Sequence, residues 1–378
     1  MNSSTLTYNS ILKLYASNDV NFRGRIFSDS KNLYRSEYQR DRDRVIHTSS
    51  FRRLKHKTQV FIYHEGDHFR TRLTHSLEVS QISRSIARYL GLNEDLCEVL
   101  SLAHDLGHTP FGHAGENVLS ECMNNYGSFD HNIQSLRILT LLENPYDDFL
   151  GLNLSINTID GLLKHNGPIQ DKKLVLELLP DLNSYKINFG NHGSLESQIS
   201  SLADDIAYNN HDIDDGLRAN FFSIDELKEI PILQNIISET LEKNSAKNNY
   251  KLIRKLIDYM VTDLTENTKK NIHKYNINKI EDIYNAKLSI ADFTEDTKKL
   301  ITNIKLFLHE KMYKHKYILK WTSKSEEVIK FLFNYYLKNY NLLENKTNKL
   351  FTKERNICDF IAGMTDKYAI DQYNNLNK

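Results

Sequence analysis

The sequence predicts an all-α protein on three observations. Proline occurs five times and glycine fourteen times, too few for an all-β chain built on many tight turns. Strand-like alternation is scarce, with Gln59–Tyr63 the one short candidate. Apolar residues recur instead at about one helical turn along much of the chain.

The elements follow in order. Leu73, Leu77, Ile82, Ile86 and Leu90 mark a helix that Gly91 stops. Asn93 can cap the next helix, whose stripe is Leu96, Val99, Leu100 and Ala103. That helix should end near His104–Gly107. The turn Gly107–Gly112 follows, then a helix from about His113 to Met123. Gly193 and Ser194 open a helix marked by Leu195, Ile199, Leu202 and Ile206. From Glu242 to Glu281 the chain is dense in Lys and Asn, with Leu252, Ile253, Leu256, Ile257 and Met260 at helical spacing. Asp258, Asp263 and Glu266 interrupt the positive charge, which favours a solvated helical region over a nucleic-acid arm.

Composition narrows the function. The 378 residues allow two to three domains, or one with insertions. Lys+Arg and Asp+Glu both total 49, so no global field draws the chain to nucleic acid or anionic lipid. Cys97, Cys122 and Cys358 form no Cys-x-x-Cys pair. This argues against a disulfide framework and a cysteine zinc site, and favours a reducing, cytoplasmic setting. Met1 to Ser10 lacks the apolar core of a signal peptide, and no run of 18 apolar residues spans a membrane.

The fifteen histidines are the informative residues. His75 follows Arg72 by one turn; His104-Asp105 closes a helix; His108 and His113 follow within a glycine-rich junction; Asp204-Asp205 lies further on. Imidazole and carboxylate together suit a divalent cation. Alone, His75 reads as a satisfied core or surface histidine, and a His-Asp dipeptide means little. Their combination is the signal. A loosened last helical turn lets His104 and Asp105 converge, with the other ligands supplied by other helices. His113 and Glu116 are three apart at a helix start, so the carboxylate can orient the imidazole; the plain alternative is a first-turn acid favoured by the helix dipole.

The set His75…His104-Asp105…Asp204 resembles the HD-domain phosphohydrolase signature, and the chain more specifically resembles the deoxyguanosinetriphosphate triphosphohydrolase family. The resemblance begins at Tyr34–Arg44 and Phe51–Val60. It runs through the HD segments, Phe129-Asp-His131-Asn132-Ile-Gln134 and Ala203–Arg218, then Lys305–Tyr313, and closes at Ile357–Ala369 with Gly-Met-Thr-Asp366. It covers most of the chain, and His-Thr-Pro-Phe-Gly-His-Ala-Gly-Glu is its specific run. It implies an HD-domain helical bundle with an elaborated helical C-terminal half. Residues 1–60 would contribute to the nucleotide pocket, 61–220 would form the metal-binding core, and 221–378 would pack on it. The implied reaction hydrolyses a deoxynucleoside triphosphate (dNTP; dGTP or several dNTPs) to deoxynucleoside and tripolyphosphate. One divalent ion per chain, Mg, Mn or another first-row metal, would be held by His75, His104, Asp105 and Asp204. His113 matches the family's proposed catalytic histidine, Glu116 its partner, and His108 a supporting donor.

Substrate contacts carried by the resemblance are Arg52, Gln59, Arg72, Asn132, Lys164, Tyr208 and Asp212. For Arg52 a surface salt bridge is the default reading. The family usually has tyrosine after Lys164, where this chain has His165. Asp204, Tyr208, His211, Asp212 and Asp215 share one helical face, read as a cleft wall over the more usual solvated stripe. Tyr208 would crowd a 2′-hydroxyl, and Asp212 would hold the 3′-hydroxyl or a phosphate-bound water. Relatives form homo-oligomers, often hexamers, and some take a nucleotide activator between subunits. The alternatives are another HD hydrolase, such as a nucleotidase or phosphodiesterase, or a nucleotide-sensing or single-strand nucleic-acid-binding module. For the last, the basic stretch Lys311–Lys324 is the candidate contact, though a solvated helical surface is the favoured reading.

Overall fold

The computed structural model describes residues 11–30, 32–59, 69–240, 247–346 and 348–378. Among them there is no strand: Thr58 and Thr71 form one isolated bridge, and residues 60–63 of the strand candidate lie outside the described residues. The all-α expectation therefore holds. In chain order the helices are α1 (Glu37–Ile46), α2 (Ser49–Arg53), α3 (Arg72–Leu90), α4 (Glu94–Ala103), α5 (Gly112–Cys122), α6 (His131–Arg137), α7 (Ile156–Leu163), α8 (Lys172–Leu178) and α9 (Leu195–Arg218). The remainder are α10 (Ile224–Leu227), α11 (Pro231–Thr240), α12 (Asn248–Lys274), α13 (Ile280–Asn285), α14 (Glu295–Leu308), α15 (Lys316–Lys338), α16 (Lys353–Ala362) and α17 (Asp366–Leu376). No helix among the described residues is long and apolar enough to cross a membrane.

The expected caps are in place. Gly91 adopts φ +69 after α3, the left-handed conformation that ends a helix. Asn93 Oδ1 accepts from Leu96 N at 3.1 Å ahead of α4. Ser194 accepts from Ser197 N at 3.3 Å ahead of α9. The apolar stripe of α3 falls differently from its reading. Leu77 is exposed, and Val79, Ile82, Ile86 and Leu90 carry the core contact.

The chain forms two compact units from interleaved segments. The first is Met1–Phe22, Leu77–Ser101 and Asn191–Leu319; the second is Arg23–Ser76, Leu102–Gly190 and Lys320–Lys378. In the first unit α9 packs on α12 and α14. Ile199, Ala203 and Ile206 meet an interior that also holds Leu256, Met260 and Ile304, all buried. Buried Glu196 accepts from Ser17 N at 2.8 Å and Asn93 N at 3.2 Å, tying three stretches together. In the second unit one core joins Phe111, Val118 and Leu119 to Ile329, Leu332, Ile357 and Ile361. The C-terminal helices thus share a core with the histidine-rich turn. Arg137 locks the same face by a two-pronged bond to Asp359, at 3.1 and 2.6 Å.

Candidate active site

The site is built on the junction between α4 and α5. After Ala103 the chain tightens into a 3-10 turn, His104–Gly107, the loosened helix end that brings adjacent His104 and Asp105 toward one region. Ser135 of α6 clasps it, donating to His104 O at 2.7 Å and accepting from Gly107 N at 2.8 Å. A Cβ at Gly107 would stand 2.1 Å from the His131 carbonyl, so only glycine permits this approach. Further on, Phe111 and Gly112 take φ 65 and 58. Phe111 N donates to Asp366 Oδ1 at 3.0 Å. The other Asp366 oxygen accepts from Thr58 N at 2.8 Å and from the Thr58 hydroxyl. Buried Lys57 donates to the carbonyls of His108 and, at 2.9 Å, Ala362. The Gly-Met-Thr-Asp segment therefore sets the shape of the turn.

Inside the turn, Asp105 is the centre of charge. One carboxylate oxygen lies 3.0 Å from Arg72 Nη1, 3.0 Å from His108 Nε2 and 3.6 Å from His104 Nε2. Its second oxygen is buried and has no hydrogen-bond partner among the described residues. Burial alone would raise this carboxyl, yet Arg72 and the imidazoles hold it well below the ordinary value. Burial also keeps His108 well below the usual imidazole value, with Arg72 adding to the effect. His75 meets His104 edge to face, with ring centroids 5.7 Å apart. His165 stacks on His104 at 5.2 Å, so the residue that departs from the family's tyrosine touches an expected metal ligand.

Glu116 organises the other side of the cluster. Its Oε2 lies 3.1 Å from His113 Nδ1, as the orienting reading expects. Its Oε1 accepts from His131 N at 3.0 Å and lies 2.7 Å from His131 Nδ1. Burial pushes the Glu116 carboxyl up, but the bonds to His113 and His131 outweigh it and hold the group far below the carboxylate range. His131 also stacks on His108 at 4.0 Å. It was missed as a site residue, although Asp130, which caps α6 by accepting from Ile133 N at 2.9 Å, marks it as the first residue of a helix. The His113 side chain is 60% exposed, the most open group of the cluster.

The remaining expected residues are more scattered. Lys164 is buried and 2.7 Å from Asp160, which also pairs with Arg23 at 2.5 Å. Asn132 is half-buried beside His131. Gln59 is buried, with its amide oxygen unpartnered among the described residues. Arg52 is exposed, donating to His47 O at 2.9 Å and Ser49 Oγ at 3.2 Å; it lines a separate concavity with Arg44, His47 and Tyr146. In the first unit α9 carries Asp204, Tyr208 and Asp212. His211, Asp212 and Asp215 are buried, so this stripe is not a solvated face. The Tyr208 and Tyr313 hydroxyls are 2.6 Å apart, and Tyr313 donates to Asp212. Tyr313 was also missed. Burial, Asp212 and Tyr208 all push its phenol up, so it stays protonated as a donor.

As a host for a divalent ion, the second unit offers the donor set such ions take: imidazoles around a carboxylate whose second oxygen is buried with no partner among the described residues. Donor atoms of His108, His113 and Glu116, and of Glu116, Asp130 and His131, also lie within 4.8 Å of one another. A helical scaffold with a His-Asp pair at the end of a helix, ringed by histidines, defines the HD-domain class of phosphohydrolases. The HD domain family matches residues 72–209, and the phosphohydrolase-associated domain matches 291–375. Deoxyguanosinetriphosphate triphosphohydrolase-like proteins are similar over nearly the whole length. That of Pelagibacter ubique (strain HTCC1062) is 53% identical over 371 residues, covering 94% of this chain and 96% of the relative. Those of Rickettsia felis (strain ATCC VR-1525 / URRWXCal2) and Rickettsia prowazekii (strain Madrid E) are each 45% identical, covering 97% of this chain and 98% of the relative. The chain belongs to the deoxyguanosinetriphosphate triphosphohydrolase-like family of HD-domain hydrolases.

Proposed function

We propose that the protein hydrolyses deoxynucleoside triphosphates to deoxynucleoside and tripolyphosphate, with one divalent ion held by His75, His104, Asp105 and Asp204. The observation that carries the reading is Asp105: one oxygen is fixed by Arg72 and His108, the other is buried without a partner among the described residues, and imidazoles flank it. A divalent cation bound there supplies charge neutralisation at the phosphoryl oxygens and a water of lowered pKa. The chain's own residues do the rest. Arg72 directs positive charge toward a phosphate beside the ligands, and Lys164 adds a second cation once it leaves Asp160. His113, held by Glu116 and open to solvent, moves a proton as water adds to the α-phosphorus and the bond to the 5′ oxygen breaks. His108, neutral and buried, gives its single N–H to Asp105 and so steadies that ligand beside the phosphate. Gln59 and Asn132 line the nucleotide pocket, and Arg52 reaches it by turning away from His47 and Ser49. Tyr208 crowds the 2′ position of the sugar, and Asp212 holds the 3′-hydroxyl.

The protein acts in this reading as a cytoplasmic homo-oligomer, a hexamer by family resemblance, with a nucleotide activator between subunits. Single-stranded nucleic acid at Lys311–Lys324 is not part of it, since Lys311 and Lys314 are paired with Glu226 and Glu310. The deciding experiment is product analysis with each dNTP and a panel of divalent metals. Tripolyphosphate with deoxynucleoside is expected. Pyrophosphate, orthophosphate or a cleaved diester would assign the chain to another HD-domain reaction.

A further inference from the structure

The second unit holds a concavity of about 640 Å3 that the proposed hydrolysis does not use, a size that suits a small organic ligand. Gln134 of α6, Arg53 of α2 and Lys349 line it, with Ile138, Leu141 and Phe360 as apolar wall. Gln134 is only 1% exposed, yet its amide oxygen has no hydrogen-bond partner among the described residues. Buried acceptors in native proteins are nearly always satisfied, so an unsatisfied one points to a missing donor. Arg53 repeats the pattern with opposite sign. Its Nε is buried and has no partner among the described residues, while Nη2 donates to Ser50 Oγ at 2.8 Å.

The acids on the wall are already engaged. Glu143 Oε1 accepts from Ser50 N and Oγ at 2.6 and 2.7 Å and pairs loosely with Arg53 at 4.0 Å, a pairing that a ligand phosphate would displace. Both Asp359 oxygens are taken by Arg137. Exposed Lys349 adds a further positive charge. The wall thus presents cations to an anion, an apolar surface to a flat body, and an acceptor to a donor.

We propose that this cavity binds a small phosphorylated metabolite, its phosphate toward Arg53 and Lys349, its planar body against Leu141 and Phe360, and an N–H or O–H toward Gln134. Calorimetric titration of the full chain with adenosine 5′-monophosphate, which carries all three features, tests it beside inorganic phosphate, which carries one. Saturable binding of the monophosphate is expected, with inorganic phosphate weaker. Lys349→Glu and Gln134→Leu should each weaken monophosphate binding about tenfold or more, the effect of losing one charge-assisted or buried hydrogen bond. Lys349 is exposed, so its variant keeps the fold even if Gln134→Leu does not. Arg72→Ala should retain the binding, which separates the cavity from the histidine cluster. Undiminished binding in Lys349→Glu, loss of binding in Arg72→Ala, or no saturation of the unaltered chain would each overturn the proposal.

Discussion

His113 holds one bond to Glu116 and leaves most of its ring in solvent, so little of the fold depends on it. His113→Ala should lower kcat by about 10²–10⁴-fold while leaving the melting temperature near that of the parent; a large fall in melting temperature with normal kcat would mark a structural residue. Glu116 is different, because its second oxygen holds both the backbone and the ring of His131. Glu116→Ala should therefore cost stability as well as rate, about 1–3 kcal/mol for the donors left behind, read from chemical denaturation. Asp105→Asn should abolish turnover and lower bound metal by elemental analysis, since an amide replaces the charged ligand; full metal content would remove Asp105 from the ligand set. At this scale the sequence was most legible where short spacing sufficed, as with His113 and Glu116. His131 and Tyr313 escaped because their partners lie 15 and about 100 residues away in sequence, and no local periodicity reports such pairs.

Elements meet at the turn between α4 and α5, where Lys57 is the least expected residue. Burial lowers its ammonium to about 7 from the ordinary 10.5, with Arg53 and Arg72 adding to the effect. The unfolded chain then holds more protons than the folded one between those two values. Stability contributed by this group rises with pH through that window, and below it the full penalty of burying the charge applies. The stability difference between the parent and Lys57→Met should therefore grow in the parent's favour from about pH 7 to 10; a flat difference would reject a largely neutral Lys57. Gly107→Ala forces a methyl into the His131 carbonyl and should destabilise by roughly 1–3 kcal/mol or more, measurable by denaturant unfolding. Helices and caps were readable from periodicity and from Asn93 and Ser194. The side of α3 that faces inward was not, because Leu77 fits the apolar spacing yet points outward.

The whole molecule is two units, each stitched from three separated stretches of chain. Composition and periodicity gave the all-α class but no hint of this interleaving, because nothing in a local window says which distant helix completes a core. The C-terminal Gly-Met-Thr-Asp segment was legible only as a family mark. Its physical work is to fix Phe111 and Thr58 through Asp366. Asp366→Ala should keep most of the helical circular dichroism, since it lies at the start of a helix, yet lower kcat by displacing the turn; unchanged kcat would show that the turn holds its shape unaided.

That same carboxylate carries a consequence for how the protein is made. Asp366 leaves the ribosome 255 residues after Phe111, the backbone it must hold. During synthesis the histidines emerge early, on a turn whose anchoring carboxylate has not yet been built. A nascent chain would hold its histidines long before it could hold their geometry, so the turn is fastened only once residue 366 has been made. Nonsense products that stop short of residue 366 would lack the anchor and leave the turn unfastened.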